Sequence, residues 1–194
     1  MNDRLDPGWA RPTKRPVWMA AAAIFVVAMP AHAADDEAHD GDRDDDDESK
    51  THIAVDFDFN SAIDTPGTEI GGGGALRIGQ KFRVPLLSFT PEVGGSYHAF
   101  TGTDDTMTYA GFLGGRLGIG MIVEPSIFGH VGLGRVEGGD ARTALALDGG
   151  LAIDLTLLPL IDLGVHGGYN VMTSSREGGA LKYVTLGAQV ALVL

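Results

Sequence analysis

The chain has 194 residues and a mass of 20.3 kDa, the size of a single domain. It contains no cysteine, which excludes disulfides and thiolate metal sites, and its formal charge of −12 excludes nucleic acid as a partner, because phosphate binding needs a basic face. Glycine is abundant at 29 residues but lacks the period of collagen, and a mean hydropathy of only +0.07 excludes a bundle of transmembrane helices.

At the start, Arg4, Arg11, Lys14 and Arg15 outnumber Asp3 and Asp6. An apolar run follows from Val17 to Met29, then Pro30 and the small-residue site Ala31-His32-Ala33. This order predicts a secretory signal peptide over residues 1–33, cleaved after Ala33. The apolar stretch is too short for a spanning helix, which needs about 20 residues. The mature protein is therefore expected to work outside the cytoplasm.

Residues 34–50 form an acidic segment, with ten carboxylates between Asp35 and Glu48 opposed only by Arg43 and Lys50. Such a block repels itself and buries nothing, so it is expected to be disordered. Asp40, Asp42 and Asp44 alternate as in a calcium loop, but Asp45 stands where the turn glycine belongs and Thr51 where the closing glutamate belongs. The expected chemistry of this segment is loose attraction of divalent cations. A dedicated metal site is not predicted, and no cofactor is.

From Thr51 onward the pattern has period two. Leu145, Leu147, Gly149, Leu151, Ile153 and Leu155 share one face, while Ala144, Ala146, Asp148, Gly150, Ala152 and Asp154 share the other. A helix would scatter these sets, so the separation predicts a strand over Ala144–Thr156. The same reading predicts strands over His52–Phe59, Ile70–Phe82, Leu87–Phe100, Met107–Met121, Ser126–Arg135, Ile161–Val171 and Lys182–Leu194. Gly71–Gly74 predicts loose or bent pairing in the second of these.

The connections alternate in character. Asn60–Glu69, Thr101–Thr106, Glu137–Arg142 and Thr173–Ala180 are polar and long; Arg83–Leu86, Ile122–Pro125 and Leu157–Leu160 are short and apolar or marked by proline. Eight long strands with two unlike ends predict an all-β fold, an antiparallel up-and-down transmembrane barrel over residues 51–194.

Alternation alone also fits a soluble barrel with its leucines inside around an apolar ligand. The polar face argues against that, because it is mostly Ala, Gly, Ser and Thr, and residues 51–194 hold only two lysines, Lys81 and Lys182. Small residues with a few paired charges suit a narrow lumen. Asp56, Asp58, Arg77, Glu92, Arg116, Asp148, Asp154 and Asp162 fall in the polar phase, with Glu92 and Arg116 placed to meet across the interior. Eight strands leave room for an ion-paired plug more readily than for a conduit. Tyr97, Tyr109 and Tyr169 sit in the outward phase beside polar loops, where an interfacial aromatic belt is expected; Tyr183 falls in the inward phase.

These features, with the glycine-rich strands Gly111-Phe112-Leu113-Gly114-Gly115-Arg116-Leu117-Gly118 and Phe128-Gly129-His130-Val131-Gly132-Leu133-Gly134, resemble the eight-stranded outer-membrane β-barrel superfamily, which includes the OmpA-like transmembrane domain and small porin-like proteins. The last strand matches the family's assembly signal at Thr185, Gly187, Val190, Leu192 and Leu194, departing where the closing aromatic is Leu194. The resemblance implies an outer membrane of a Gram-negative bacterium, outer-membrane lipid and the barrel-assembly machinery as partners, and a periplasmic N-terminal segment. It carries no catalytic motif.

Some small barrels modify lipids through Ser and His at the outer wall. Here His98, His130 and His166 fall in the inward phase, and no nucleophile elbow, zinc-helix pair or phosphate loop occurs. The expectation is a non-enzymatic outer-membrane barrel with a structural, adhesive or minor transport role. A lipid-modifying enzyme and a soluble periplasmic barrel are the alternatives.

Overall fold

The computed structural model describes residues 49–63, 68–102, 105–138, 141–158, 160–173 and 179–194. The expected signal peptide, its cleavage site at Ala33 and nearly all of the acidic segment lie outside the described residues. Lys50, assigned above to that segment, is the first residue of a strand.

Eight strands follow in chain order: β1 Lys50–Ile63, β2 Thr68–Val84, β3 Leu87–Gly102, β4 Thr106–Ile119, β5 Val123–Glu137, β6 Arg142–Leu158, β7 Ile161–Thr173 and β8 Ala180–Val193. Each pairs antiparallel with its sequence neighbour, and β1 pairs with β8 from His52↔Val193 to Ile63↔Lys182, which closes the ring. Closure leaves no edge strand, so every ladder is satisfied within the sheet, as a hydrocarbon environment requires. The strands run 13–17 residues, more than the roughly 9–11 that a tilted strand needs to cross a bilayer.

Two expectations are corrected. The turn predicted at Ile122–Pro125 lies earlier, at Gly120–Ile122, with Gly120 in the left-handed region at φ 128°, and Pro125 belongs to β5, paired with Ile153. Proline is tolerated there because pairing of β5 with β4 stops at Gly118↔Ser126, so the missing donor faces no partner. The Gly71–Gly74 run is not loose: each residue pairs in register with β1 and with β3. Lumenal crowding explains Gly73, which points inward, and not its outward neighbours Gly72 and Gly74. A Cβ on Gly73 would run into the Tyr97 carbonyl and the His98 ring, and it would stand 2.8 Å from the His98 Cα.

The two faces obey the predicted alternation. Leu113, Leu133, Leu151 and Leu186 are 63–68% exposed on the outside, while Asp56, Arg77, Lys81, Glu92, Arg116, Glu124, Asp154 and Asp162 point inward and are buried. One interior region is apolar and was not anticipated. At the loop end, Phe100, Val136, Ala144, Met172, Leu181 and Tyr183 pack into a buried cluster across the barrel mouth.

Candidate functional site

The chemistry-bearing side chains converge in the lumen, because alternate residues of every strand must point there and eight strands leave only a narrow bore. Toward the turn end, the network is built on guanidinium and ammonium groups. Arg77 on β2 grips Asp56 of β1 with two bonds, Nε to Oδ2 at 2.8 Å and Nη2 to Oδ1 at 2.6 Å. Its Nη1 donates to both oxygens of Glu92 on β3 at 3.3 Å, and Nη2 also reaches Gln189 Oε1 on β8 at 2.7 Å.

Arg116 on β4 donates to Asp154 Oδ2 of β6 at 2.8 Å and to the same Gln189 Oε1 at 3.0 Å, while the Gln189 amide turns its Nε2 to Asp154. Gln189 therefore joins the two arginines. Glu92 and Arg116, expected to meet, do not form the pair: Arg77 and His130 hold Glu92, and Asp154 takes Arg116. Below them, Lys81 lies 3.1 Å from Glu124 and 3.5 Å from Asp162, and Arg83 and Ser88 also bind Glu124.

Toward the loop end, imidazoles replace the arginines. Asp58 takes His98 Nε2 at 3.0 Å on one oxygen and His166 Nε2 at 2.9 Å on the other. His130 lies between two carboxylates, Nδ1 at 2.6 Å from Asp148 and Nε2 at 2.7 Å from Glu92, with Phe112 and Phe128 against its ring. Tyr183 places its hydroxyl 3.2 Å from His98 Nδ1. Higher still, Asn170 donates to Thr185, and Thr185 donates to Asn60.

All eight lumen charges named from sequence point inward; Asp56, Arg77, Glu92, Arg116, Asp154 and Asp162 pair with an opposite charge, while Asp58 and Asp148 bind imidazole nitrogens. Sequence reasoning missed Gln189, Glu124, Ser88 and the pairing role of Lys81. The signal for Gln189, Ser88 and Lys81 was inward phase, and uncharged Gln189 does not stand out in a search for charges; Glu124 lay in the segment read as a turn. A cavity of about 60 Å³ remains among Asp58, Ser96, His98, His130, Asp148 and His166, room for a few waters but not for a solute of ordinary size. Among the described residues no group of three or more His, Asp or Glu has the arrangement of a metal centre.

The tyrosines divide as the phase predicts. Tyr183 is buried, Tyr97 and Tyr109 face out with ring centroids 5.2 Å apart, and Tyr169 is exposed on β7. No histidine of the lumen reaches the outer wall, and Ser126 is buried inside.

No protein-family model matches the chain, and no curated protein sequence matches it. Solved structures do. Neisserial surface protein A aligns with a TM-score of 0.58 at 16% identity, over 75% of this chain and 98% of that one. Ail, the attachment invasion locus protein of Yersinia pestis, aligns with a TM-score of 0.50 at 14% identity, over 76% and 99%. The outer membrane enzyme PagL gives a TM-score of 0.48 at 10% identity, over 71% and 97%. With a closed ring of eight antiparallel strands, an apolar outer wall and a charged interior, the chain has the fold of the eight-stranded outer-membrane β-barrels.

Proposed function

We propose that the protein is a non-enzymatic barrel of the Gram-negative outer membrane, sealed against solute flow, in a structural or adhesive role that its polar loops carry. The observation behind this reading is the double arginine lock. Through Asp56, Glu92, Gln189 and Asp154, Arg77 and Arg116 tie β1, β2, β3, β4, β6 and β8 together across the bore. Every path along the axis meets these paired charges, and the apolar cluster at the mouth adds a second closure.

An enzyme acting on lipid would need its nucleophile and base on the outer wall, whereas the serine and histidine candidates face inward. A soluble barrel would need water, not hydrocarbon, against Leu113, Leu133 and Leu186. The wall therefore favours outer-membrane lipid as its solvent. Thr51 and Leu194 bond to each other at the turn end, N to O at 2.7 and 2.8 Å, so both ends of the barrel share one side. In this reading that side is the periplasm, where the acidic segment holds divalent cations loosely and β8 engages the barrel-assembly machinery during insertion.

The test is conductance across planar bilayers, using protein whose migration on gels shifts with boiling as an intact membrane barrel's does. The expected result is no steady conductance above bare lipid. Stable ohmic steps from the folded form would overturn the sealed reading. Failure to insert at all would overturn the membrane assignment.

A further inference from the structure

Charge on the outer wall is confined to one rim. Among the described outward-phase strand residues only Arg135, Glu137 and Lys182 carry a formal charge, and all three lie at the loop ends of β5 and β8. Glu69, exposed beside the irregularity in β2, lies at the same end. The opposite rim presents Phe82, Val84, Leu87, Ile119 and Val123 instead.

Arg135 does not stand alone. Tyr97 pairs directly with Tyr109, and Tyr109 pairs directly with Arg135, so the three occupy one row across β3, β4 and β5. Cross-strand pairs bring Cβ atoms within about 5.5 Å of each other. Glu137 takes Arg135 through Nε at 2.8 Å, which orients the guanidinium, and among the described residues no second carboxylate pairs with it. The side chain is 58% exposed.

The next row toward the barrel middle is Gly95↔Gly111, both exposed, and a Cβ on Gly111 would meet nothing within 4 Å. A slot without side chains thus lies directly beneath the tyrosine pair. Val93, Leu113 and Leu133, all more than half exposed, wall it.

We propose that this row binds the phosphate of an anionic lipid in the loop-side leaflet. The terminal guanidinium nitrogens take two phosphate oxygens, a geometry that a planar fork matches and an ammonium does not. The Tyr97 hydroxyl supplies a further donor at headgroup depth, beside Tyr109, whose hydroxyl donates to Met107 Sδ, and an acyl chain fills the slot over Gly95 and Gly111. A headgroup phosphate is favoured over a protein partner because the basic group sits on a wall that is otherwise hydrocarbon-facing and continuous with the slot. The site rests on the membrane reading above.

The test is native mass spectrometry of the full barrel released from phosphatidylcholine nanodiscs doped with phosphatidic acid. Parent protein should retain phosphatidic acid. Arg135→Gln should lose retention several-fold, Arg135→Lys should fall between the two, and Lys182→Gln, on the far side of the ring, should match the parent. Inorganic phosphate added in excess should leave retention unchanged. Equal losses in the Arg135 and Lys182 variants would mean diffuse charge attraction, and displacement by inorganic phosphate would mean an ion site; either overturns the proposal, as does full retention by Arg135→Gln. Protein that never inserts into the nanodisc fails the membrane reading itself, which the boiling-dependent gel shift reports separately.

Discussion

Leu151, Ala152, Ile153 and Asp154 are neighbours in one strand, yet they live under opposite rules. Leu151 and Ile153 are 65% and 48% exposed; Ala152 and Asp154 are 3% and 4% exposed. On the wall, an apolar side chain gains little from touching its neighbours, because the surrounding lipid is equally apolar. In the lumen there is no lipid and room for few waters, so each charge depends on its partners. Stability specific to this chain should therefore reside inside, while the wall sets only where the barrel can live.

The largest effect should come from breaking the lock. Arg77→Ala strands Asp56 and leaves Glu92 to His130 alone, and truncating one partner of a buried pair costs about 3–5 kcal/mol. Urea unfolding in lipid vesicles should show the midpoint fall accordingly. A matched wall truncation, Leu186→Ala, should move it far less although Leu186 is 68% exposed and larger than alanine by three carbons. Equal shifts would remove the distinction between lumen and wall.

The apolar cap sharpens the comparison, since apolar packing rather than paired charge holds it. Leu181 is 1% exposed among Phe100, Met172 and Tyr183, so Leu181→Ala should cost about 2–4 kcal/mol through lost burial and a cavity. The same urea series measures it. Leucine in β8 is thus expected to matter at position 181 and hardly at 186, five residues along the same strand.

On the wall the relevant perturbation is charge rather than size. Leu151→Asp places a carboxylate against hydrocarbon, where the worst residues cost about 2–4 kcal/mol at the midplane and carboxylates less. The folded fraction recovered on gels should drop, and detergent of thinner hydrophobic thickness should restore it. A variant indistinguishable from the parent would mean Leu151 faces no lipid.

The strand count, the closed ladder and the two faces were legible because period-two alternation acts at every residue and lipid enforces it on every strand. Boundaries were less so. Pro125 suggested a turn, but a proline whose nitrogen faces an already ended ladder can sit within a strand. The cap was missed because Phe100, Val136 and Leu181 lie at strand ends, where inward phase was equated with polarity. Pair identities were not legible either. Inward phase places Glu92 and Arg116 in the same bore, but which partner each takes depends on height along the axis and on the reach of Gln189, which no charge pattern encodes.

The smallest effects come from two glycines that look alike in sequence and stand on opposite faces. A Cβ at Gly73 would collide with the Tyr97 carbonyl and the His98 ring. That ring cannot step aside without cost, because Asp58 holds it at 3.0 Å on one side and the Tyr183 hydroxyl at 3.2 Å on the other. Gly73→Ala should therefore destabilise by about 1–3 kcal/mol, the range for overpacking a filled interior. Gly111 faces outward, and a Cβ there meets nothing within 4 Å. Its backbone needs no left-handed conformation, so alanine restricts the unfolded chain without straining the folded one, and Gly111→Ala should be neutral or stabilise by roughly 0.4–1 kcal/mol. Both variants are compared by urea midpoint in the same lipid. If Gly111→Ala proves as damaging as Gly73→Ala, the glycines serve the backbone of the sheet, and crowding in the lumen is not what selects them.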